Sequence, residues 1–241
     1  MDEQKQNDNR IEAIKELGMN SLTKSEESDI HMINIIGQVE GHTELPPQNK
    51  TTKYEHIIPQ LIAIEQSKSI RGFLIILNTA GGDVEAGLAI AEMISSMTKP
   101  SVSLVLGGGH SIGVPLAVSA DYSFIVQTAS MTIHPVKMNG MVVTLPQTLE
   151  YFNKVQDRIL HFICKHSHIE LKRLRALMIN AGDIANEAGT LLIGKEAVKA
   201  GIIDKVGGLS DAISKLRQLI GENDKRADVS KEKKSVSEGK R

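Results

Sequence analysis

The 241-residue chain has no tryptophan, three tyrosines and four phenylalanines, so any core it builds is aliphatic. Its single cysteine, Cys164, excludes an internal disulfide framework and fits a reducing compartment. Net charge is nearly absent: 28 basic against 29 acidic side chains leave -1, which gives no pull towards nucleic acid or an anionic membrane. Residues 101–120 carry no Asp, Glu, Lys or Arg, but glycines, a proline and serines interrupt them. Such a stretch reads as a buried strand followed by a buried helix and not as a membrane span. The polar start, Met1-Asp2-Glu3-Gln4-Lys5, lacks the apolar segment of an export signal, which predicts a cytoplasmic protein. No P-loop pattern is present, so ATP hydrolysis by the chain itself is not expected.

What is present falls into three parts. Residues 1–28 are charged and poor in apolar side chains, and are expected to be weakly ordered. Residues 222–241 mix Lys, Glu and Ser and read as a disordered tail. Between them, residues 29–221 read as one α/β domain. His31–Gly37 predicts a strand, Glu40–Lys53 a polar loop around Pro46-Pro47, and Tyr54–Gln66 a helix. Phe73–Leu77 predicts a second strand, Val84 to about Met97 a helix, and Val102–Leu106 a third strand. This alternation predicts a largely parallel sheet with right-handed crossovers. It also puts two glycine turns, Asn78–Asp83 and Gly107–Gly113, at the carboxyl ends of neighbouring strands, where open α/β sheets hold their active sites.

The second turn, Gly107-Gly108-Gly109-His110-Ser111-Ile112-Gly113, has the logic of a nucleophile elbow. A serine at a sharp strand-to-helix turn needs small neighbours. A helix starting at Ser111 would aim free N–H groups at a developing oxyanion. Taken alone, the pattern equally fits a buried turn whose serine merely caps the helix. His134, at the end of the short apolar piece Met131-Thr132-Ile133, could take the serine proton as general base; a lone histidine at a strand end is more often a surface hydrogen-bonding group. Pro146–His166 reads as a long helix whose stripe of Leu149, Phe152, Val155, Ile159, Phe162 and Ile163 exceeds what one sheet face requires, which suggests partner contact. His161, Cys164, His166 and His168 have no common metal-site spacing, and no metal or cofactor is expected.

The ordered set Asn78-Thr79-Ala80-Gly81-Gly82-Asp83, Gly109-His110-Ser111-Ile112-Gly113, Met131-Thr132-Ile133-His134-Pro135 and Lys195–Asp204 resembles the proteolytic subunit of the Clp protease, over about residues 30–210. More narrowly it resembles a Clp-like branch from Gram-positive bacteria, which implies a link to protein export. The resemblance implies the ClpP/crotonase-type fold with a protruding strand-plus-helix handle at about 136–166, a ring-shaped homo-oligomer, and peptides or unfolded polypeptides as substrates. It implies Ser111 as nucleophile, His134 as general base, and the backbone N–H groups of Gly82 and Ile112 as oxyanion hole.

For the third triad member the pattern departs from the family. Counting back from Lys195 lands near Gly189, whereas counting forward from His134 lands on Asp183, so the segment Asn180–Thr190 is longer than usual. Asp183 is expected to orient His134, with Asn186 and Glu187 as alternatives. The family's axial N-terminal segment has no clear counterpart before His31, and the insert Glu40–Lys53 has no match; both leave docking of an ATPase partner open. Two other readings keep the same serine: a Ser–Lys dyad with Lys165 or Lys137 as base, and a catalytically weak ring scaffold. An acyl-CoA site on the related crotonase fold would explain neither the serine nor the histidine.

Overall fold

The computed structural model describes residues 28–137, 145–184 and 187–238. Strand β1 (Ile30–Glu40) leads through a polar loop to the short β2 (Thr51–Lys53) and helix α1 (Tyr54–Gln66). There follow β3 (Gly72–Gly82), α2 (Val84–Ser96), β4 (Ser101–Gly109), α3 (Gly113–Val118), β5 (Tyr122–Ile125) and β6 (Ser130–Ile133). Helices α4 (Leu145–Lys165) and α5 (Leu171–Met178) precede the hairpin of β7 (Ala181–Ile184) and β8 (Glu187–Ala188). Then come β9 (Thr190–Ile193), α6 (Lys195–Ala200), β10 (Lys205–Val206) and α7 (Leu209–Glu238).

The main sheet has the order β10-β5-β4-β3-β1-β2, and every pairing along that path is parallel. β6 leaves this plane: it touches β4 through Gly108↔Ser130 and pairs antiparallel with β9. The result is the mixed, mostly parallel sheet of the ClpP/crotonase fold.

Both faces of the central strands are covered, which is why they read as unbroken apolar runs. Alternate residues of a strand point to opposite faces. Phe73, Ile75 and Leu77 join Ile33, Ile35 and Val105 against Leu61, Ile90, Ile94 and Leu116 in the larger core. Leu74, Ile76, Val102, Leu104 and Phe124 form a smaller core under Ala212, Leu216 and Ile220 of α7. Each such fully buried large side chain contributes about 1.5–3 kcal/mol, so the β3–β4 pair anchors the molecule.

Several boundaries differ from those the sequence suggests. α7 continues through Glu238, into the stretch expected to be a disordered tail; Glu and Lys are good helix formers, and Gln218–Glu222 adds a hydrogen bond one turn apart. The N-terminal residues 1–27, and residues 138–144 of the handle expected at about 136–166, lie outside the described residues.

Candidate active site

The elbow is built where β3 and β4 lose their regular register. Leu77 faces Val105, but Thr79 faces Gly109, so β4 inserts residues opposite the turn of β3. Asn78 fills that irregularity: its side-chain oxygen accepts from Gly108 N–H at 2.9 Å. The chain then turns sharply at Ser111, whose φ of 57° makes it the sole non-glycine residue with positive φ among the described residues. A left-handed conformation at a non-glycine residue costs on the order of 1–3 kcal/mol and persists only when its surroundings over-determine it. Those surroundings are four backbone hydrogen bonds: His110 N–H to Thr79 O (3.2 Å), Ser111 N–H to Thr132 O (2.9 Å), Gly113 N–H to His110 O (2.8 Å) and Val114 N–H to Ser111 O (3.0 Å).

The left-handed residue also corrects the expected helix start. α3 begins at Gly113 with Ile112 as its N-cap, two residues later than a helix opening at Ser111. The delay leaves Ile112, the residue after the serine, at the helix N-cap. Gly81 makes room for the turn from the other strand. At φ 95° a Cβ on Gly81 would lie 2.7 Å from Ser111 Cβ and 2.9 Å from His110 O, so no side chain fits there. Two residues on, Asp83 donates its N–H to Val39 O at 2.9 Å and caps α2 by accepting from Ala86 N–H at 2.8 Å. Successive N–H groups of a parallel ladder point to opposite sides, so the Gly82 N–H turns away from β1.

His134 follows the end of β6. Its Nδ1 lies 2.7 Å from the carbonyl oxygen of Pro135. A carbonyl can only accept, so Nδ1 is a donor, and in the neutral ring the lone pair then lies on Nε2. That is the tautomer a general base needs. Ser111, His134, Gly82 and Ile112 line one cavity of about 210 Å³, whose remaining walls are largely apolar and include Ile133, Ile159, Leu160, Ile163 and Met178. Ser111 and His134 make no hydrogen bond to each other. The α4 wall is tied to the rim by a fork from Arg158 to Glu85, at 2.7 and 2.9 Å. Burial pushes the Cys164 thiol up from its ordinary value, so it does not compete as a nucleophile.

The other expected site residues fall as follows. Asp183 sits on β7 of the hairpin, which pairs Ala181↔Ala188 and Ile184↔Glu187 and is closed at its base by Gly189 N–H to Asn180 O, 2.8 Å. The hairpin falls within the segment Asn180–Thr190 singled out above. The side chains of Asp183 and Glu187, and all of Asn186, lie outside the described part of the structure. Of the two lysines, Lys137 lines the serine cavity. Lys165 lines a different, polar cavity with Asp121, His166, His168 and Asp204, so it is not placed to serve Ser111. The cluster around the end of α4 is dispersed: His161 bonds Asp157 O, His166 stacks on Phe162, and His168 pairs with Asp204. Among the described residues no group of three or more metal-ligating side chains converges.

Sequence reasoning did not foresee the roles of Asn78, His110, Thr132 and the Pro135 carbonyl. Asn78 opens the first glycine turn and was open to suspicion on that ground; the other three carry no signal in the sequence.

A serine with positive φ at a strand-to-helix elbow thus shares a cavity with a histidine at the carboxyl ends of parallel strands. The chain belongs to the Clp protease family, whose model matches residues 25–209. It is 59% identical over 210 residues to the translocation-enhancing protein TepA of Halalkalibacterium halodurans, covering 87% of this chain and 82% of that one. A putative protease of Methanocaldococcus jannaschii is 25% identical over 75% of this chain and 65% of its own length. The ATP-dependent Clp protease proteolytic subunit of Leuconostoc citreum is 26% identical over 49% of this chain and 62% of its own. No helix among the described residues is long and apolar enough to cross a membrane.

Proposed function

We propose that the chain is a serine endopeptidase that cleaves peptides or unfolded polypeptides in the cytoplasm through an acyl-enzyme. The observation that carries this reading is the left-handed Ser111 in one cavity with His134, whose ring is held in the base tautomer. Ser111 Oγ attacks the scissile carbonyl while His134 Nε2 takes its proton. The new C–O bond puts negative charge on the carbonyl oxygen, and the N–H groups of Gly82 and Ile112 stabilise it. His134 returns the proton to the leaving amine, and water then releases the acyl group by the reverse roles. The Pro135 carbonyl already holds Nδ1–H; Asp183, on the neighbouring hairpin, is proposed as the carboxylate that stabilises the imidazolium.

Ring assembly is part of the same proposal. Tyr151 on α4 is 57% exposed while Val155, Leu160, Phe162 and Ile163 are buried, so Tyr151 offers an aromatic contact to a partner copy. The likeness to a protein named translocation-enhancing supports a link to export. A second reading, the Ser–Lys dyad, rests on Lys137 at the cavity wall.

Labelling of the purified protein with a fluorophosphonate probe tests the reading. Labelling lost in both Ser111→Ala and His134→Ala supports the Ser–His mechanism. Labelling that survives His134→Ala but not Lys137→Met favours the dyad. A folded wild type that does not label would be a scaffold and would end the protease reading.

A further inference from the structure

His110 precedes the nucleophile, does not line the substrate cavity, and is not used by the mechanism above. Its Nδ1 lies 2.8 Å from Thr132 Oγ1 on β6. The same threonine accepts the Ser111 N–H through its carbonyl oxygen at 2.9 Å. Thr132 stands two residues before His134, so one residue of the base-bearing strand is tied to the elbow twice, once by backbone and once by side chain. The imidazole lies against Gly108: a Cβ there would be 2.7 Å from both Cδ2 and Nε2 of the ring. Gly108 is itself held by Asn78 and paired with Ser130 at the start of β6. The three consecutive glycines thus have a reason beyond turn geometry, since a side chain at 108 would expel the ring from its slot.

We propose that His110 and Thr132 form a staple that fixes the nucleophile elbow to strand β6 and thereby sets the Ser111–His134 geometry. Both are positioning residues; neither touches substrate. The proposal rests on the protease reading for its effect on rate, but the mechanical tie stands without it. Burial, and next the charge of nearby His134, pull the His110 pKa down, so the ring acts as a neutral hydrogen-bonding partner near neutral pH.

The test uses the full-length chain with His110→Ala, His110→Asn, Thr132→Val and Thr132→Ser, read by fluorophosphonate labelling rate and by amide hydrogen exchange at Ser111. His110→Ala and Thr132→Val are expected to slow labelling about ten-fold, as a small misplacement of reacting groups does, with KM for a peptide substrate unchanged. His110→Asn places an amide nitrogen near the position of Nδ1, and Thr132→Ser keeps the hydroxyl; both should restore labelling to near the wild-type rate. The Ser111 amide should exchange about ten-fold faster in His110→Ala and Thr132→Val, a local opening, while amides of β1 keep their protection. Wild-type labelling and exchange in those two variants would overturn the proposal, as would failure of His110→Asn to restore either. Thr132→Val keeps a β-branched residue opposite Leu191 and decides the matter should His110→Ala not fold. If wild type itself does not label, the protease reading fails, and the exchange rates alone uphold or overturn the staple.

Discussion

The two ends of the same central strands differ in how they are held. At the amino ends the β3–β4 register runs unbroken from Phe73↔Ser101 to Leu77↔Val105. Two equivalent brackets lock the neighbouring strand starts. Asp121 accepts from Ser101 N–H and Oγ–H at 2.8 and 3.0 Å and donates its own N–H back to Ser101 Oγ at 3.1 Å. Asp204 repeats the pattern on Ser123 at 2.8, 2.7 and 3.0 Å. At the carboxyl ends the register breaks, Gly81, Gly82 and Ser111 all have positive φ, and a cavity opens. The difference teaches that strain is concentrated where the cavity opens, and that the regular, satisfied end supplies the rigidity to hold it.

The sharpest way to break this contrast is to fill the strained end. Gly81→Ala forces a Cβ against Ser111 and requires a left-handed backbone of alanine. It should cost about 2–3 kcal/mol of stability and, by displacing the nucleophile, slow fluorophosphonate labelling about 100-fold or more. Denaturant melts and labelling of the same sample would read both. Unchanged labelling would mean that the close approach of the two turns does not matter for chemistry.

The reciprocal change is at the satisfied end. Asp204→Ala leaves the Ser123 N–H and hydroxyl without their acceptor and should cost about 1–3 kcal/mol. The folded fraction should label at the wild-type rate, because nothing in this bracket touches the cavity. A labelling defect as large as that of Gly81→Ala would erase the distinction between the two ends. A smaller effect of opposite sign is expected from Ser111→Gly. Removing the side chain relieves the left-handed strain and should raise stability by about 1 kcal/mol while abolishing labelling. A melt no higher than wild type would show that the elbow is not strained in the folded protein.

How much was legible in the sequence follows the same division. Strands β1, β3 and β4 and helix α1 were readable because long apolar runs and helical spacing dominate local structure there. Glycine spacing and chain order single out Ser111 and His134, and the structure places both on the wall of one cavity. The helix start was misplaced by two residues because Ser111 adopts a conformation that serine rarely takes; the tertiary hydrogen bonds that help hold it there run to the carbonyl oxygens of Thr79 and Thr132. The His110–Thr132 contact spans 22 residues and the Arg158–Glu85 fork 73, so neither leaves a local pattern. Lys165 stood open as a base until the fold put it in the polar cavity, away from Ser111.

Histidine titration sharpens the comparison with the smallest effect. His31 lies near the amino end of β1, His166 beside the amino-end cavity, and His110 at the elbow; burial is the largest cause lowering all three below the ordinary histidine value of 6.5. The Nε2 atoms of His31 and His166 are buried without a partner. In the unfolded chain these rings take up protons near 6.5, whereas the folded protein resists until lower pH. The unfolded state therefore binds more protons in that window, so stability is full above about 6.5 and declines as pH falls through the depressed folded values. His31→Gln should remove one of these three contributions and flatten the decline of the melting temperature just below pH 6.5. It should do so without moving the pH profile of labelling, because His31 is remote from the cavity. His110→Asn should flatten the decline by a similar amount, yet any change it makes in the labelling profile would appear at the strained end alone. A labelling profile that shifts in His31→Gln would mean that protonation at the amino end reaches the elbow, and the two ends would then be coupled through the β1–β3 pair.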